Sequence, residues 1–491
     1  MKTPSGYSHI GSLRGPIVHS LIYRTLKDAG AKATFTFVIN DHDPADELPP
    51  EFKEKLKEYL GFPLRKVPSP TKGFDSLGSL LGDDLVKTMA SLGVEAKILS
   101  SWDLYQEGKF DGVIKEALNA GEKIQGIYKK ISGSEKKEKG WLPFEVICEK
   151  CGKVGTTRVF AWDGKEVSYK CEPTMVTWGK GCGYEGKISP FGGTGKLPWK
   201  VDWAAHWKVI GVTVEGAGKD HASAGGSYDI AMALCEEVFK YPHPFKLPYE
   251  FFLIGGKKMS SSKGLGLKAH DIVKILPPEI ARFLFARTDY REAIDFDPVG
   301  TMIIPDLFDE YDRSWKAFIE GTDEDLARIF TLAQITKVPP KKEIFLPRFR
   351  EVAYFVQGGK GSIEAYFEEK KGGKLTTEEK NVLEERIKYA KIWIEGYAPE
   401  DFKFEVKGGE GKTSLPKEFI LKLVKMIEEA PSPEELEKGI YELIKSSKVP
   451  AKEIFSEIYR VLIGKNHGPK AAWLIWESKA KALEVFRELS K

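Results

Sequence analysis

The chain has 491 residues, well beyond the roughly 250–300 at which a single hydrophobic core stops growing, so two to four domains are expected and a single small module is excluded. Its residues are 42% hydrophobic and 30% charged, enough for a substantial core, and no run approaches the ~18 apolar residues of a membrane helix. The formal net charge is only +3, so nucleic-acid binding would have to use local basic patches.

The N-terminal residues resemble no targeting signal. They show neither the apolar run of a secretory signal nor the Arg- and Ser-rich pattern of a transit peptide. We therefore expect a cytoplasmic protein with no membrane partner. The sequence does not define the oligomeric state.

The first hundred residues predict half of a doubly wound α/β sheet. Residues 21–28 predict a helix, and the apolar, β-branched run at 33–39 predicts a buried strand. A second helix and strand follow at 85–99. In such sheets ligands bind at the carboxyl ends of the strands, which here means residues 3–12 and 40–43.

The later chain predicts an insertion and then a helical region. Between about 103 and 200 the α/β pattern breaks into Gly- and Lys-rich segments that carry clustered cysteines, and it resumes afterwards. The predicted segments are an α/β domain in two halves (1–102 and 201–255), a cysteine-bearing insertion (103–200), a connecting domain (256–330) and an all-helical C-terminal domain (331–491). The predicted C-terminal helices are 377–395, 416–429, 433–446 and 451–463, with capping boxes at Thr376–Glu379 and Ser432–Glu435.

The first candidate site is the loop of residues 3–12, Thr-Pro-Ser-Gly-Tyr-Ser-His-Ile-Gly-Ser, called here the phosphate loop, before a helix expected to start near Leu13. A glycine-containing loop at a helix N-terminus exposes backbone amides where a phosphate can approach closely. The alternative is a tight turn with one surface histidine. The candidate nucleotide-binding residues are Pro4, Ser5, Gly6, His9, Gly11 and Ser12.

The second candidate site is a glycine-flanked loop at residues 255–264, Gly-Gly-Lys-Lys-Met-Ser-Ser-Ser-Lys-Gly. Its ammonium and hydroxyl groups suit the negative charge that develops on a departing pyrophosphate. The alternative is an exposed lysine-rich loop without a role. Because both motifs occur in one chain, together they indicate nucleotide chemistry. The candidates are Lys258, Met259, Ser260, Ser261 and Ser262 for ATP, with His9, Lys258 and Lys263 as catalytic residues.

These motifs resemble those of a known enzyme class. The phosphate loop resembles the HIGH motif of class I aminoacyl-tRNA synthetases, and Lys258 to Ser262 resemble their KMSKS loop. Residues 201–207 and 215–229 resemble the class I lysyl-tRNA synthetases, the archaeal and sporadically bacterial family. Segments within 247–251 and 458–470 extend this likeness over nearly the whole chain.

The resemblance implies a fold and a reaction. It implies a Rossmann-type catalytic domain that forms lysyl-adenylate from L-lysine and ATP with Mg²⁺, then transfers lysine to the terminal adenosine of lysine tRNA. Residues 331–491 would form the helical anticodon-binding domain and 256–330 the KMSKS-loop and connecting domain. A glutamyl or cysteinyl enzyme, a non-catalytic RNA-binding paralogue and a small-molecule nucleotidyltransferase are the alternatives.

The chain departs from the family at three points. Ser12 replaces the last histidine of HIGH and Ser261 replaces the second KMSKS lysine, and because family members vary at both we expect neither to abolish activity. The resembled enzymes also carry a strand before the phosphate loop, whereas only Met1 and Lys2 precede it here. We therefore expect the first sheet strand to be missing, through a late start codon or truncation.

The lysine pocket is assigned in two ways. Carried over from the family, Thr3, Trp203, His221 and Tyr249 would bind the substrate lysine. Because a lysine substrate carries two ammonium groups, carboxylates near predicted strand ends are added as candidates, with helix caps or surface salt bridges as the alternative. These carboxylates are Asp41, Asp43, Asp202 and Asp220.

Four of the five cysteines predict a structural zinc site. Cys148 and Cys151 form a C-x2-C pair, followed by Cys171 and Cys182, and four thiolates suit one tetrahedral Zn²⁺. Buried free thiols are the alternative. Cys235 stands alone on a predicted helix and is expected in the core.

Aromatic and basic side chains near the C-terminus suit RNA bases. Trp473 and Trp476, with Lys465, His467 and Lys470, offer the stacking and hydrogen bonding by which splayed anticodon bases are read. The alternative is that the tryptophans are core residues and the lysines are solvated.

Overall fold

The computed structural model divides the chain into two compact units. The first contains Met1–Lys274, Ala281–Phe296 and Thr331–Val338, and the second contains Ile275–Ile280, Asp297–Phe330 and Pro339–Lys491. The structure describes residues 1–133, 140–259, 266–358, 362–404, 412–447, 449–468 and 470–491. The division into functional domains stays a prediction.

The regular elements follow in chain order. The strands are β1 (Thr36–Ile39), β2 (Lys97–Ser100), β3 (Glu145–Val146), β4 (Thr157–Trp162), β5 (Val167–Cys171), β6 (Glu185–Ile188), β7 (Gly195–Lys196), β8 (Val214–Gly218), β9 (Phe245–Tyr249), β10 (Phe252–Ile254), β11 (Lys257–Lys258) and β12 (Ile294–Asp295). The α-helices are α1 (Arg14–Asp28), α2 (Lys53–Leu56), α3 (Leu77–Ser91), α4 (Ser101–Gln106), α5 (Asp111–Asn119), α6 (Gly121–Ser132), α7 (Trp199–Ile210), α8 (Lys219–Ala222), α9 (Ser227–Glu237), α10 (Ile272–Ile275), α11 (Pro278–Ala286), α12 (Ile303–Glu320), α13 (Glu324–Ala333), α14 (Phe349–Gly358), α15 (Ile363–Lys371), α16 (Thr377–Gly396), α17 (Lys417–Glu429), α18 (Pro433–Ser446), α19 (Ala451–Ile463), α20 (Ala471–Glu477) and α21 (Lys479–Leu489).

Parallel strand pairs form the framework of the first unit. β1 pairs in parallel with β2, β8 with β9, and β10 with β12. Parallel neighbours need crossover connections, and helices α3 and α9 lie in the connections from β1 to β2 and from β8 to β9. The predicted α/β fold of Rossmann type is confirmed, and the loops that follow these strands supply the candidate site.

Lys2 also pairs with this sheet. Its backbone N donates to Val38 O and its carbonyl accepts from Asn40 N, both at 2.9 Å, in a parallel bridge with Ile39. The first sheet strand was expected to be missing, and the bridge between Lys2 and Ile39 provides a single residue pair at its place beside β1. This bridge fixes the backbone directly before the phosphate loop.

The cysteine-bearing insertion is built from short antiparallel strands and helices. β3 pairs with β7, and β4, β5 and β6 form a second small sheet. Apolar residues of α4–α6 and of these strands share one buried cluster with α7 and α9. The insertion is thus packed into the core of the first unit.

The second unit is helical in its described part. Apolar side chains of α17–α21 form one buried core. The four predicted C-terminal helices agree within one residue with α16–α19, so the all-helical C-terminal prediction is confirmed. Both reciprocal bonds of the Thr376–Glu379 capping box are present, whereas at Ser432 the structure records the bond from Glu435 N to the hydroxyl. Among the described residues, no helix combines the length and apolar character needed to cross a membrane.

Candidate active site

A cavity of about 1290 Å³ opens in the first unit, where the loops after β1, β8 and β9 meet the phosphate loop. The predicted residues that line it are Thr3, Ser5, His9, Gly11, Ser12, Asp43, Trp203, Asp220, His221, Tyr249, Lys258 and Met259. Pro4, Gly6, Asp41 and Asp202 are buried and do not belong to this lining. Ser260, Ser261, Ser262 and Lys263 lie outside the described residues.

The two sequence motifs meet at Gly11. A Cβ added there would lie 3.0 Å from Nδ1 of His9 and 3.1 Å from Cε of Met259. A backbone hydrogen bond next to Gly11 also connects the phosphate loop to the segment that follows the second motif: Ile10 N donates to Leu267 O at 2.8 Å. A residue without a side chain thus allows the second motif to approach the phosphate loop closely.

His9 stands directly before a 3-10 turn, Ile10–Leu13, which runs into α1. The first amides of such an element have no acceptor within it and can bind a phosphate, but here Ile10 N already donates to Leu267 O and Ser12 N to His9 O. Burial, together with the charge of Lys2, lowers the pKa of His9 from its ordinary value near 6.5 to about 4. At pH 7 His9 is therefore neutral and would contact a phosphate through a hydrogen bond.

Lys258 reaches the same cavity from the second motif. It lies on β11, which pairs in antiparallel fashion with β10. Its Nζ atom is 3.4 Å from the centre of the Phe251 ring, a contact worth roughly 0.5–1 kcal/mol at an exposed site. Both side chains line the cavity, so a weak contact holds this ammonium group there.

Carboxylates and aromatic rings form another wall of the cavity, around Tyr249. Burial raises the pKa of Tyr249, and the charges of Glu215 and Asp220 raise it further. Trp203 Nε1 donates to Glu215 Oε1 at 3.2 Å, and the Trp203 ring stacks on Trp199 with centroids 5.7 Å apart. Negative charge beside aromatic faces suits an ammonium group.

Two residues of this wall were missed by sequence reasoning. Glu215 is the first residue of the block 215–229 that carries the family resemblance, so the signal for it was present. Trp199 precedes Trp203 by one helical turn of α7 and makes a T-shaped contact with His221, with ring centroids 5.5 Å apart. The spacing of Trp199 from Trp203 in the sequence does not predict whether Trp199 lines the cavity or lies in the core.

Asp43 is shared between the cavity and a buried lysine. Thr3 Oγ1 and Asn40 Nδ2 donate to Asp43 Oδ2 at 2.6 and 2.8 Å. Lys196 Nζ donates to Asp43 Oδ1, and Lys196 is only 1% exposed. Burial alone would lower the pKa of Lys196, but the carboxylates of Asp43 and Asp202 raise it above its ordinary value. Lys196 thus remains charged and holds Asp43 beside Thr3.

Asp202 lies beneath the cavity rather than in its lining. It is fully buried, accepts a hydrogen bond from Tyr105 OH at 2.6 Å and lies 3.3 Å from His206 Nδ1. Burial would raise the pKa of Asp202, yet His206 and Lys196 lower it to about 2. Its charge is balanced within the protein and it does not line the cavity, and its assignment to the substrate lysine stays a prediction.

Asp41 is also buried outside the cavity lining, and its assignment to the substrate lysine likewise stays a prediction. It is 2% exposed, accepts from Ser100 Oγ at 2.9 Å and accepts from Trp102 N at 3.0 Å. Burial raises the pKa of Asp41 despite these hydrogen bonds. Its carboxylate joins the loop after β1 to the end of β2 and the start of α4, and Asp41 does not line the cavity.

The four clustered cysteines converge on one point. Cys148 Sγ lies 3.6 Å from Cys182 Sγ, Cys151 Sγ lies 3.7 Å from Cys171 Sγ, and all four sulfurs lie within 4.8 Å of one another. A tetrahedral site with Zn–S bonds near 2.3 Å places sulfurs about 3.8 Å apart. The donor set therefore fits a closed four-thiolate zinc site. Cys235 is fully buried in the core.

The tryptophans predicted to read RNA bases lie at the edge of a core. Trp473 and Trp476 are partly buried and pack against the cluster of α17–α21. Lys470 Nζ lies 4.6 Å from the Trp473 ring centre and Lys479 Nζ lies 4.9 Å from that of Trp476. Packing and basic neighbours are thus both present, and the role in RNA binding stays a prediction.

The two sequence motifs that indicate nucleotide chemistry thus meet in a Rossmann-type unit. The profile of the family tRNA synthetases class I (K) matches residues 2–336. A lysine-tRNA ligase of Archaeoglobus fulgidus is 31% identical over 494 residues, covering 100% of this chain and 94% of its own. One from Methanosarcina barkeri is 32% identical over 519 residues, covering 99% and 93%. The chain belongs to this class I (K) family of tRNA synthetases.

Similar solved structures are more distant. A glutamate-tRNA ligase from Elizabethkingia meningosepticum has 11% identity and a TM-score of 0.43, covering 99% of this chain and 97% of that one. A methionyl-tRNA synthetase from Mycobacterium tuberculosis has 11% identity and a TM-score of 0.37, covering 94% and 90%. The family assignment therefore rests on the sequence relatives.

Proposed function

We propose that the protein is a lysine-tRNA ligase, which converts L-lysine and ATP into lysyl-adenylate and transfers the lysine to the 3′ end of lysine tRNA. The observation that carries this proposal is one cavity in which the phosphate loop and Lys258 accompany a wall of carboxylates and aromatic rings. The wall suits the ammonium groups of lysine, and the loop suits the phosphates of ATP. Full-length relatives named lysine-tRNA ligase support the choice of amino acid.

Activation requires positioning and charge stabilisation more than covalent work by the protein. A carboxylate oxygen of lysine attacks the α-phosphorus, the bond to the bridging oxygen breaks, and pyrophosphate leaves with the electron pair. Neutral His9 would hold the phosphates by a hydrogen bond, and Lys258 would meet the charge that grows on pyrophosphate. We assign Lys263 the same role. Mg²⁺ bound with ATP would neutralise part of the phosphate charge.

We assign the substrate lysine to the wall around Tyr249. Glu215 and Asp220 offer the carboxylates, and Trp203 offers a ring face for an ammonium group. Thr3, held by Asp43, offers a hydroxyl beside the phosphate loop, and His221 lines the same cavity. This arrangement would place the amino acid next to the nucleotide.

We infer that Cys148, Cys151, Cys171 and Cys182 hold one structural Zn²⁺. The sulfur separations support a closed site with no position for a substrate. The ion would crosslink the insertion and would take no part in the reaction.

We assign anticodon reading to the C-terminal domain within residues 331–491 and the chemistry to the first unit, which includes Thr331–Val338. Reading one tRNA among many of similar shape requires base contacts, since phosphate contacts do not distinguish sequences. Because charging serves translation, we expect the enzyme to act in the cytoplasm.

Exchange of labelled pyrophosphate into ATP tests this function. The assay includes lysine tRNA, because the resembled family needs tRNA for activation, and compares lysine with glutamate and cysteine. We expect exchange with lysine alone. Exchange with glutamate or cysteine instead would reject the amino acid, and tRNA binding without any exchange would favour a non-catalytic RNA-binding paralogue.

A further inference from the structure

Lys2 carries a charge that the protein leaves without a counter-ion. Its side chain lines the cavity and is partly buried. Among the described residues, none gives its ammonium group a hydrogen bond or an ion pair. Lys196, the other lysine buried near this cavity, has two carboxylate neighbours. Lys196 is thus balanced by carboxylates, whereas Lys2 is not.

The backbone fixes where Lys2 stands. The hydrogen bonds to Val38 O and from Asn40 N hold it in the bridge beside β1. The next residue, Thr3, directs its hydroxyl to Asp43 and begins the phosphate loop. Lys2 is therefore held by the sheet at the entry to the loop, and its position does not depend on a flexible surface segment.

The charge of Lys2 acts on the phosphate loop. Burial is the main reason that the pKa of His9 falls to about 4, and the ammonium of Lys2 lowers it further. Burial also lowers the pKa of Lys2 itself. An ammonium group removed from water without an anion is unfavourable until an anion arrives. The cavity thus contains a positive site with unused binding capacity.

The other charged groups indicate which anion this is. Glu215 and Asp220 make the wall around Tyr249 negative, and Asp43 is already held by Lys196 and Thr3. An anionic substrate group is therefore expected on the side of the phosphate loop and Lys2.

We propose that Lys2 is a further nucleotide-binding residue, whose ammonium group binds an anionic phosphate oxygen of ATP in this cavity. The proposal rests on the proposed use of ATP but not on the choice of amino acid. Lys2 lies outside both sequence motifs, so the proposal adds one cation beside the phosphate loop to those that the motifs supply. The carboxylate of the amino acid also carries anionic oxygens and is therefore the competing ligand. The test distinguishes binding of Lys2 to this carboxylate from binding to an ATP phosphate.

Equilibrium binding to the full chain tests the proposal without lysine or tRNA, so its outcome is independent of any failure to activate lysine. K2M removes the charge and keeps the apolar stem, and K2R keeps the charge. K32M is the matched control, since Lys32 lines the same cavity and is exposed. We expect K2M to weaken ATP binding by about tenfold or more, the effect of losing one charged hydrogen bond. K2R and K32M should stay within about threefold of the unsubstituted protein.

Adenosine and lysinamide separate the alternatives. Adenosine has no phosphate, so K2M should leave its affinity unchanged. Equal losses for ATP and adenosine would indicate a structural defect and overturn the proposal, as would unchanged ATP binding. Weaker binding of lysine with unchanged lysinamide and ATP would assign Lys2 to the amino-acid carboxylate instead. If K2M does not fold, K2Q, which keeps a polar side chain, provides the same comparison.

Discussion

Lys258 is the residue whose charge is most directly linked to the proposed chemistry. Its ammonium group rests on the Phe251 ring in the cavity and would meet negative charge that develops only as pyrophosphate leaves. K258A should therefore lower turnover by about 10²-fold or more while changing lysine binding little. Steady-state exchange kinetics measure both. K257A alters the exposed neighbour on β11 and serves as the control; normal turnover of K258A with only a raised lysine requirement would contradict the assignment.

Buried histidine makes stability depend on pH. His42 has no exposed surface and makes T-shaped contacts with the rings of Trp102 and Tyr105, whose centroids lie 4.9 and 4.7 Å away. Burial, reinforced by Lys196, lowers the pKa of His42 to about 3. Between about pH 6.5 and pH 3, His42 is therefore protonated in the unfolded chain but neutral in the folded chain. The free energy of unfolding is unaffected by His42 above pH 6.5 and decreases as the pH falls from 6.5 towards 3.

The size of this effect is measurable. His42 alone should reduce the free energy of unfolding by about 1.4 kcal/mol for each pH unit below 6.5. H42F should reduce the slope of the free energy of unfolding against pH by the amount that corresponds to one proton. Urea unfolding at pH 7, 6 and 5 measures this slope. H243Q, at a partly exposed histidine, is the control. An unchanged slope in H42F would show that other groups govern acid sensitivity.

At the scale of elements, the cysteine-bearing insertion is joined to the candidate lysine site by backbone hydrogen bonds. Val154 N donates to Gly61 O at 2.8 Å, and Leu64 N in the same loop donates to Asp43 O at 2.9 Å. Lys196, which binds the Asp43 side chain, lies on β7, and β7 pairs with β3. Two separate segments of the insertion, around Val154 and at Lys196, thus support Asp43.

Loss of the metal should therefore affect lysine more than ATP. We expect one zinc per chain and, in C151A, loss of that zinc, faster amide exchange in residues 43–64 and a raised lysine requirement with near-normal ATP affinity. Metal analysis and hydrogen exchange measure the first two effects. C235A, which removes the buried cysteine outside the cluster, should keep its zinc. A zinc-free native protein with four titratable thiols would reject the site.

Element starts were predicted well only where their signals are local. The capping box at Thr376 marked the start of α16 correctly. By contrast, α3 was expected at residue 85 and begins at Leu77, after a Ser76–Ser79 box that lacks the usual acidic partner. Its Gly78 is a poor helix former, but a Cβ there would lie 3.1 Å from the backbone of Leu64. Tertiary packing explains that glycine, and sequence alone does not reveal it.

At the scale of the whole molecule, the motifs identified the cavity but not its interior. The phosphate loop and Lys258 were predicted from sequence, because phosphate binding needs residues close together in the chain. Asp43 and Asp202 looked alike, because each has a partner that is distant in sequence: Lys196 pairs with Asp43, and Tyr105 donates to Asp202. Long-range contacts of this kind decide which carboxylate faces a substrate, and spacing carries no information about them.

The course of the chain decides how anticodon reading can be tested. Deleting residues 331–491 would also remove Thr331–Val338, which belongs to the first unit. There Arg282 Nε donates to Leu332 O at 2.7 Å, and Arg24 Nη1 donates to Gln334 O. Such a truncation would damage the catalytic unit itself, so the intact chain with altered tRNA gives the cleaner experiment.

Changing the anticodon of lysine tRNA should lower the efficiency of charging by the intact enzyme. Base-specific reading depends on stacking and edge hydrogen bonds, and each stacked base that is lost costs on the order of 1–3 kcal/mol. One lost contact therefore predicts a fall in kcat/KM of about five- to more than a hundredfold. W473A and W476A should lose part of this discrimination if their rings stack on bases; a tRNA altered only in its acceptor stem is the control. Equal charging of anticodon-swapped tRNA would show that residues 331–491 are a scaffold and that identity is read elsewhere.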